Sequence, residues 1–288
     1  MKYKYINAIR ANLSIYTKLK TGNKLDGTYK SVYRGKSMNF ECLREYTIND
    51  EVKDIDWKAS ARYRKLLVKQ FIAEKKHNIL LLFDTGIKMS GSTEKLDEKK
   101  DVALYTAGTI GYLTISNGDY VGLMYNKQDK IVYQPFKNNL YYLEFFLTQI
   151  ARDVILENTE GLNKSLKYLN KNLRKRSIIF IITDLQGLEN IDVKLLNEIN
   201  THNDVLLINI SDACMYGKNL YDLNNNNYIP SFLSNNLELE KIEKDIKKEI
   251  YDKIKQKIKM DIVSINGLDE INLKVIELLE RHKYAGIN

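Results

Sequence analysis

Cysteine is scarce: the 288-residue chain holds two, Cys42 and Cys214. They lie far apart with no ligand spacing, which excludes a disulfide framework and a cysteine-rich metal site. Both are read as reduced core thiols of a cytoplasmic protein. Histidine is nearly as sparse, with His77, His202 and His282 scattered along the sequence. A histidine metal site or a histidine general base therefore has poor support. Long apolar runs are also missing, and none approaches the ~18 residues of a membrane span. The opening MKYKYINAIRANLSIYTKLK lacks a continuous apolar core and a small-residue cleavage site, so no signal peptide is expected. It reads as a basic amphipathic helix docked on the protein, in preference to one lying on a membrane surface. No phosphate loop of the GxxxxGK[ST] type occurs. The stretch GIKMSGSTEK sets small residues beside lysines at the wrong spacing.

What is present is globular in composition, 44% hydrophobic and 28% charged. The net charge of +8 comes from 45 basic residues interleaved with 37 acidic ones. The most densely charged segment, ELEKIEKDIKKEIYDKIKQKIKM, mixes both signs along a helix. That is the pattern of a solvated face and not of a phosphate-binding stripe, so no specific nucleic-acid partner is expected. Within it Ile242, Ile246, Ile250, Ile254 and Ile258 recur in steps of four, a narrow stripe expected to pack onto a sheet.

Two parts follow from the rhythm of the chain. Residues 1–76 are expected to form an N-terminal helix (3–20) plus a small β-rich module, built from TYKSVYRG, MNFECLREYT and KLLVKQFIAE with a short helix around DIDWKASARY. Residues 77–288 alternate strand and helix. NILLLFD, SIIFIITD and DVLLINI read as buried strands, DYVGLMYN and DKIVYQPF as neighbouring strands across a tight turn, and MDIVSI as a last strand. Helices are expected near 95–115, 139–153, 161–173 and 235–259, with a closing helix at EINLKVIELLERH. NLYDLNNNNY reads as an exposed hairpin or loop. The expected fold is α/β: a doubly wound, mostly parallel sheet flanked by helices. Function in such sheets sits at the carboxyl ends of the strands. Two buried strands end there in aspartate, Asp84 and Asp184.

The stretch from GTYKSVYRG to LLVKQF resembles the bacterial family called domain of unknown function 58. Arg44 and Tyr46 stand for its R-x-Y. Asn49-Asp50-Glu51 stand for its G-D-D-like turn, Ile55-Asp56-Trp57 for its I-D-W, and Ser60-Ala61-Arg62 for its S-A-R. Asn49 replaces a glycine, and asparagine tolerates the same left-handed backbone. The resemblance implies that the second part is similar to a von Willebrand factor type A domain. Such domains often carry a metal-ion-dependent adhesion site with the motif D-x-S-x-S, a threonine on a second loop and a later aspartate. Asp84 and Asp184 match the aspartates, Gly86 and Lys88 fall on the two serines, and the threonine's place falls near Thr159-Glu160. Magnesium needs oxygen ligands, which Gly86 does not supply, and an ammonium within ~4 Å of the ion would cost several kcal/mol. No functional metal or other cofactor is expected. Two readings of the aspartates stand: polar stops on buried strands, or carboxylates bridged and neutralised by Lys88. The signature residues Arg44, Tyr46, Asp50, Asp56, Trp57, Ser60 and Arg62 also have two. Arg44, Asp54, Asp56 and Arg62 form an ion-pair network that holds the β module to the α/β domain, with Trp57 as its anchor, or some of these residues face outward and dock a partner.

The resemblance implies a non-catalytic scaffold or adaptor working with a MoxR-type AAA+ ATPase in assembly or remodelling of other proteins. The alternatives are a metal-dependent hydrolase using Asp84, Asp184 and Glu160, and a basic nucleic-acid-binding protein. No nucleophile–base pair can be named for the first of these, and no reading motif for the second.

Overall fold

Helix α1 (Lys4–Lys18) begins where one buried carboxylate meets its free backbone donors. The N–H groups of Lys4, Tyr5 and Ile6 donate to Glu144 at 2.7, 3.0 and 2.9 Å, meeting most of what a helix N-terminus leaves unpaired. Tyr5, Ile6 and Ile9 are buried, and Gly108 makes the approach possible, because a Cβ there would collide with Ile9 Cδ1. The computed structural model describes residues 3–18, 39–48, 50–72, 76–127, 130–153, 161–214, 221–222, 227–228 and 237–285. They divide into two compact units, residues 1–32 with 78–288, and residues 33–77. The helix thus belongs with the α/β unit and not with the β module, which corrects the expected grouping of 1–76. The reason is the reach of Glu144 and the groove left by Gly108.

The smaller unit pairs β1 (Asn39–Glu45) antiparallel with β2 (Leu67–Ile72), Asn39 facing Ile72 and Glu45 facing Leu67. Between them lie a single 3₁₀ turn at Val52–Asp54 and the short helix α2 (Trp57–Tyr63). The expected strand TYKSVYRG lies outside the described residues.

The larger unit continues with β3 (Asn78–Phe83), a 3₁₀ turn at Ile87–Ser90, α3 (Lys99–Ser116), β4 (Tyr120–Lys127), β5 (Lys130–Lys137), α4 (Leu140–Asp153) and α5 (Gly161–Asn172). Then come β6 (Ile178–Asp184), α6 (Leu185–Glu189), α7 (Val193–Asn200) and β7 (Asp204–Ile210). The two-residue strands β8 (Tyr221–Asp222) and β9 (Asn227–Tyr228) pair as a hairpin, and α8 (Leu237–Lys257), β10 (Asp261–Ile265) and α9 (Ile271–Ala285) complete it. Among the described residues six strands form one sheet in the order β10-β7-β6-β3-β4-β5. All neighbours are parallel except β4 and β5, whose short connection forces an antiparallel pair.

Helices α1, α3, α4 and α9 pack together as one layer, and α5 to α8 form contacts of the other. Strands β3 and β6 are buried along both faces, as their unbroken aliphatic runs require. Helix α3 is apolar nearly all round because α1, α4 and α9 surround it. Helix α8 departs from expectation. Ile254 and Ile258 are buried, but Ile242 and Ile246 are 53% and 51% exposed, so only the last turns of the isoleucine stripe reach the core.

Candidate functional site

Parallel strands deliver their carboxyl ends to one edge of a sheet. β3 and β6 are hydrogen-bonded neighbours, and the Asp84 N–H extends their ladder by donating to the Ile182 carbonyl at 2.9 Å. Asp84 and Asp184 therefore arrive side by side, and both are buried. The 3₁₀ turn after β3 brings Lys88 back over them, its Nζ 2.8 Å from Asp84 Oδ2 and 3.5 Å from Asp184 Oδ1. Thr183 Oγ1 donates to Asp84 Oδ2 at 2.6 Å, and the Gly86 N–H to Asp84 Oδ1 at 3.2 Å. Asp184 caps α6, accepting from the Gly187 N–H at 2.8 Å. Gly187 is confined by the same cluster, since a Cβ would fall 2.6 Å from Lys88 Nζ and 2.8 Å from Asp84 Oδ2.

Two further residues complete the cluster, and neither was singled out from the sequence. Lys99, the first residue of α3, has a fully buried side chain. Its Nζ donates to Asp184 Oδ2 at 2.8 Å, to the Lys88 carbonyl at 2.6 Å, and to Asp212. Asp212 follows β7, which makes it the third carboxylate at this end of the sheet. Three carboxylates thus meet two ammonium groups, and each ammonium contacts two acidic side chains.

These contacts set the protonation states. Burial works against the charged form of Lys88, but Asp84 and Asp184 outweigh it and hold its pKa above the ordinary lysine value. Burial likewise raises Asp184, yet Lys99, Lys88 and the Gly187 N–H together keep its pKa below that of a free carboxyl. Asp212 goes the other way, because burial lifts it further than Lys99 pulls it back.

A magnesium ion would need several free oxygens in octahedral array. Here Gly86 offers no side-chain oxygen. Asp184 has Oδ1 on the Gly187 N–H and near Lys88, and Oδ2 on Lys99. Asp84 Oδ2 takes both Thr183 and Lys88. Among the described residues no group of three histidine, cysteine, aspartate or glutamate side chains is arranged to hold a metal ion. The donor set does not fit the ion that the type A motif implies. Glu160 and Thr159 lie outside the described residues.

The signature residues of the smaller unit separate into two groups. Arg44 forks onto Asp50 at 2.5 and 2.7 Å, holding the Asp50 carboxyl far below the usual range, while Thr47 also donates to it. Tyr46 N–H bonds the Leu66 carbonyl. Asp56 caps α2 by accepting from the Ala59 N–H at 3.0 Å and lies 3.4 Å from Lys69. Ser60 is buried and accepts from the Leu67 N–H at 2.9 Å, pinning α2 to β2. These residues build the unit from within. Trp57 and Arg62 do not, being exposed on the same helix, and Arg62 forms no ion pair among the described residues. Of the two readings of the signature, the ion-pair network differs in its pairs, since Arg44 goes to Asp50 and Asp56 to Lys69, and Trp57 is exposed instead of anchoring it. Capping by Asp56 and anchoring by Ser60 turn the indole outward.

Comparison with known proteins agrees with this architecture. A sequence model of the family described as "Protein of unknown function DUF58" matches residues 42–216. Uncharacterized proteins of Mycobacterium bovis and Mycobacterium tuberculosis are each 24% identical over 204 residues, 69% of this chain. The chain spans 63% of the length of these curated relatives. The crystal structure of BatB, a conserved hypothetical protein from Bacteroides thetaiotaomicron, superimposes with a TM-score of 0.51 at 12% identity, over 72% of this chain and 99% of that one. The SpRpn10 VWA domain aligns over 72% of this chain and 95% of its own, at 11% identity and a TM-score of 0.40. With more than half of its length matched by the family model, the chain belongs to the DUF58 family, and its larger unit has a von Willebrand factor type A-like α/β fold.

Proposed function

We propose that this chain is a non-catalytic protein-interaction scaffold that works with a MoxR-type AAA+ ATPase in assembling or remodelling other proteins. The observation that carries the reading is the closure of the strand-end site by Lys88 and Lys99. A hydrolase would need those carboxylates free to hold an ion or a water, whereas both aspartates at the strand ends are engaged by ammonium groups. The site is best described as a degenerate adhesion site, with Asp84 and Asp184 kept and the ion's charge supplied by lysine. This 288-residue sequence holds no phosphate loop, so in this reading ATP hydrolysis falls to the partner. We place the protein in the cytoplasm. Among the described residues no helix is long and apolar enough to cross a membrane, which is compatible with that location.

A pull-down of the tagged full chain with the products of neighbouring genes, run with and without ATP and magnesium, tests the reading. Retention of an AAA+ ATPase that changes with nucleotide is expected. Failure to retain one in either condition would overturn it.

A further inference from the structure

The smaller unit segregates its charge along the chain. From Glu41 to Asp56 there are acidic residues at 41, 45, 50, 51, 54 and 56, whereas from Trp57 to Lys69 every charged residue is basic. Arg44, Lys53, Lys65 and Lys69 are paired with Asp50, Glu51, Glu45 and Asp56. Lys58, Arg62 and Arg64 form no ion pair among the described residues and are exposed. On the same short helix and its cap stand two exposed aromatic side chains, Trp57 at 62% and Tyr63 at 65%. Arg64 carries a second oddity. It ends α2 in the left-handed region, φ 55° and ψ 32°, a position where glycine would avoid the strain of a side chain. Unpaired cations beside exposed aromatics are the composition of a binding surface and not of a merely solvated face.

We propose that Trp57, Lys58, Arg62, Tyr63 and Arg64 form a docking surface for an acidic, apolar-containing peptide segment of a partner protein. Charge complementarity selects this occupant. Three cations with no ion pair among the described residues favour an anionic partner, and the two aromatic rings supply apolar contact area and cation–π-capable faces. The irregular pairing of large apolar and basic groups on one seven-residue helix and its C-cap suits a peptide better than a nucleic-acid backbone, which needs a longer track of cations. The proposal adds a surface and a ligand class to the scaffold reading and rests on it for the existence of a partner.

Trp57 is the only tryptophan in the chain, so its fluorescence reports on this surface directly. The full chain is titrated with a synthetic peptide of alternating glutamate and leucine, with a lysine–leucine peptide and with oligothymidine. A saturable change in emission is expected with the acidic peptide, weakening as salt is raised. The double variant Arg62→Glu/Arg64→Glu should weaken it by at least about tenfold. Lys58→Glu lies in the first turn of α2, where the helix dipole tolerates a negative charge, and provides a second variant that keeps the fold. No emission change, an equal response to the lysine–leucine peptide, tighter binding of oligothymidine, or a concentration-dependent shift of the protein alone would each overturn the proposal. Failure of the ATPase pull-down would remove the scaffold–ATPase reading and leave this titration standing. Failure of the titration would remove only the surface.

Discussion

At the scale of single residues, the cluster of Asp84, Lys88, Lys99, Asp184 and Asp212 is a set of mutual dependences. Lys99→Met strips Asp184 and Asp212 of their shared ammonium, and breaking a buried pair from one side costs about 3–5 kcal/mol. Urea unfolding of the variant should show a loss in that range, well above that of an exposed lysine such as Lys58. The two acidic partners of Lys99 should behave oppositely. Asp184 has a lowered pKa, so its contribution is present above the ordinary carboxylate value of ~3.9 and is lost as pH falls through its lower folded value. Asp212 has a raised pKa, so its ionisation subtracts stability as pH rises past the ordinary value. At neutral pH, Asp184→Asn should lower the unfolding midpoint, whereas Asp212→Asn should leave it no lower than the parent. Lys88, with its raised pKa, contributes fully below ~10.4 and loses that contribution as pH rises through its folded value. Asp84 and Asp184 were legible in the sequence because each closes a buried strand, and Lys88 because the resemblance to the type A motif sets it on a serine's place. Lys99 was not, being one of several lysines in EKLDEKKD that only the helix register distinguishes. Asp212 did leave a signal, since DVLLINISD is a third buried run with a carboxylate just beyond its end.

At the scale of elements, the strands of the sheet and helices α3, α4, α5, α8 and α9 stand close to where the apolar runs and spacings of the sequence put them. The short α6 and α7 between β6 and β7 went unread, because helices of five and eight residues hold too few turns to show a period. Packing partners were harder still. The isoleucine stripe of α8 looks uniform in sequence, yet its first two members, Ile242 and Ile246, stay exposed. The N-terminal helix was grouped by proximity along the chain, while the structure attaches it through Glu144, which lies far away in sequence. That attachment is open to test. Glu144→Ala removes the acceptor of three N–H groups, each worth roughly 1 kcal/mol or more when left buried and unpaired. Amide hydrogen exchange of residues 4–12 should accelerate in the variant while β3 and β6 keep their protection. Unchanged exchange in α1 would show that Tyr5, Ile6 and Ile9 hold it without the cap.

At the scale of the whole molecule, alternating strands and helices made the α/β class readable, because buried parallel strands need helices on both faces. The presence of Asp84 and Asp184 at adjacent strand ends is a consequence of that topology. What the topology does not decide is the counter-charge, which came from one lysine after β3 and another opening α3. On the proposed reading, these two ammonium groups do the electrostatic work of a divalent cation. Thermal melting of the full chain, first stripped with chelator and then given excess magnesium or manganese, tests it most directly. The melting temperature should be the same in all three conditions. A rise of about 3 °C with either ion, on the order of 1 kcal/mol for a chain of this size, that disappears in Asp84→Ala would contradict it.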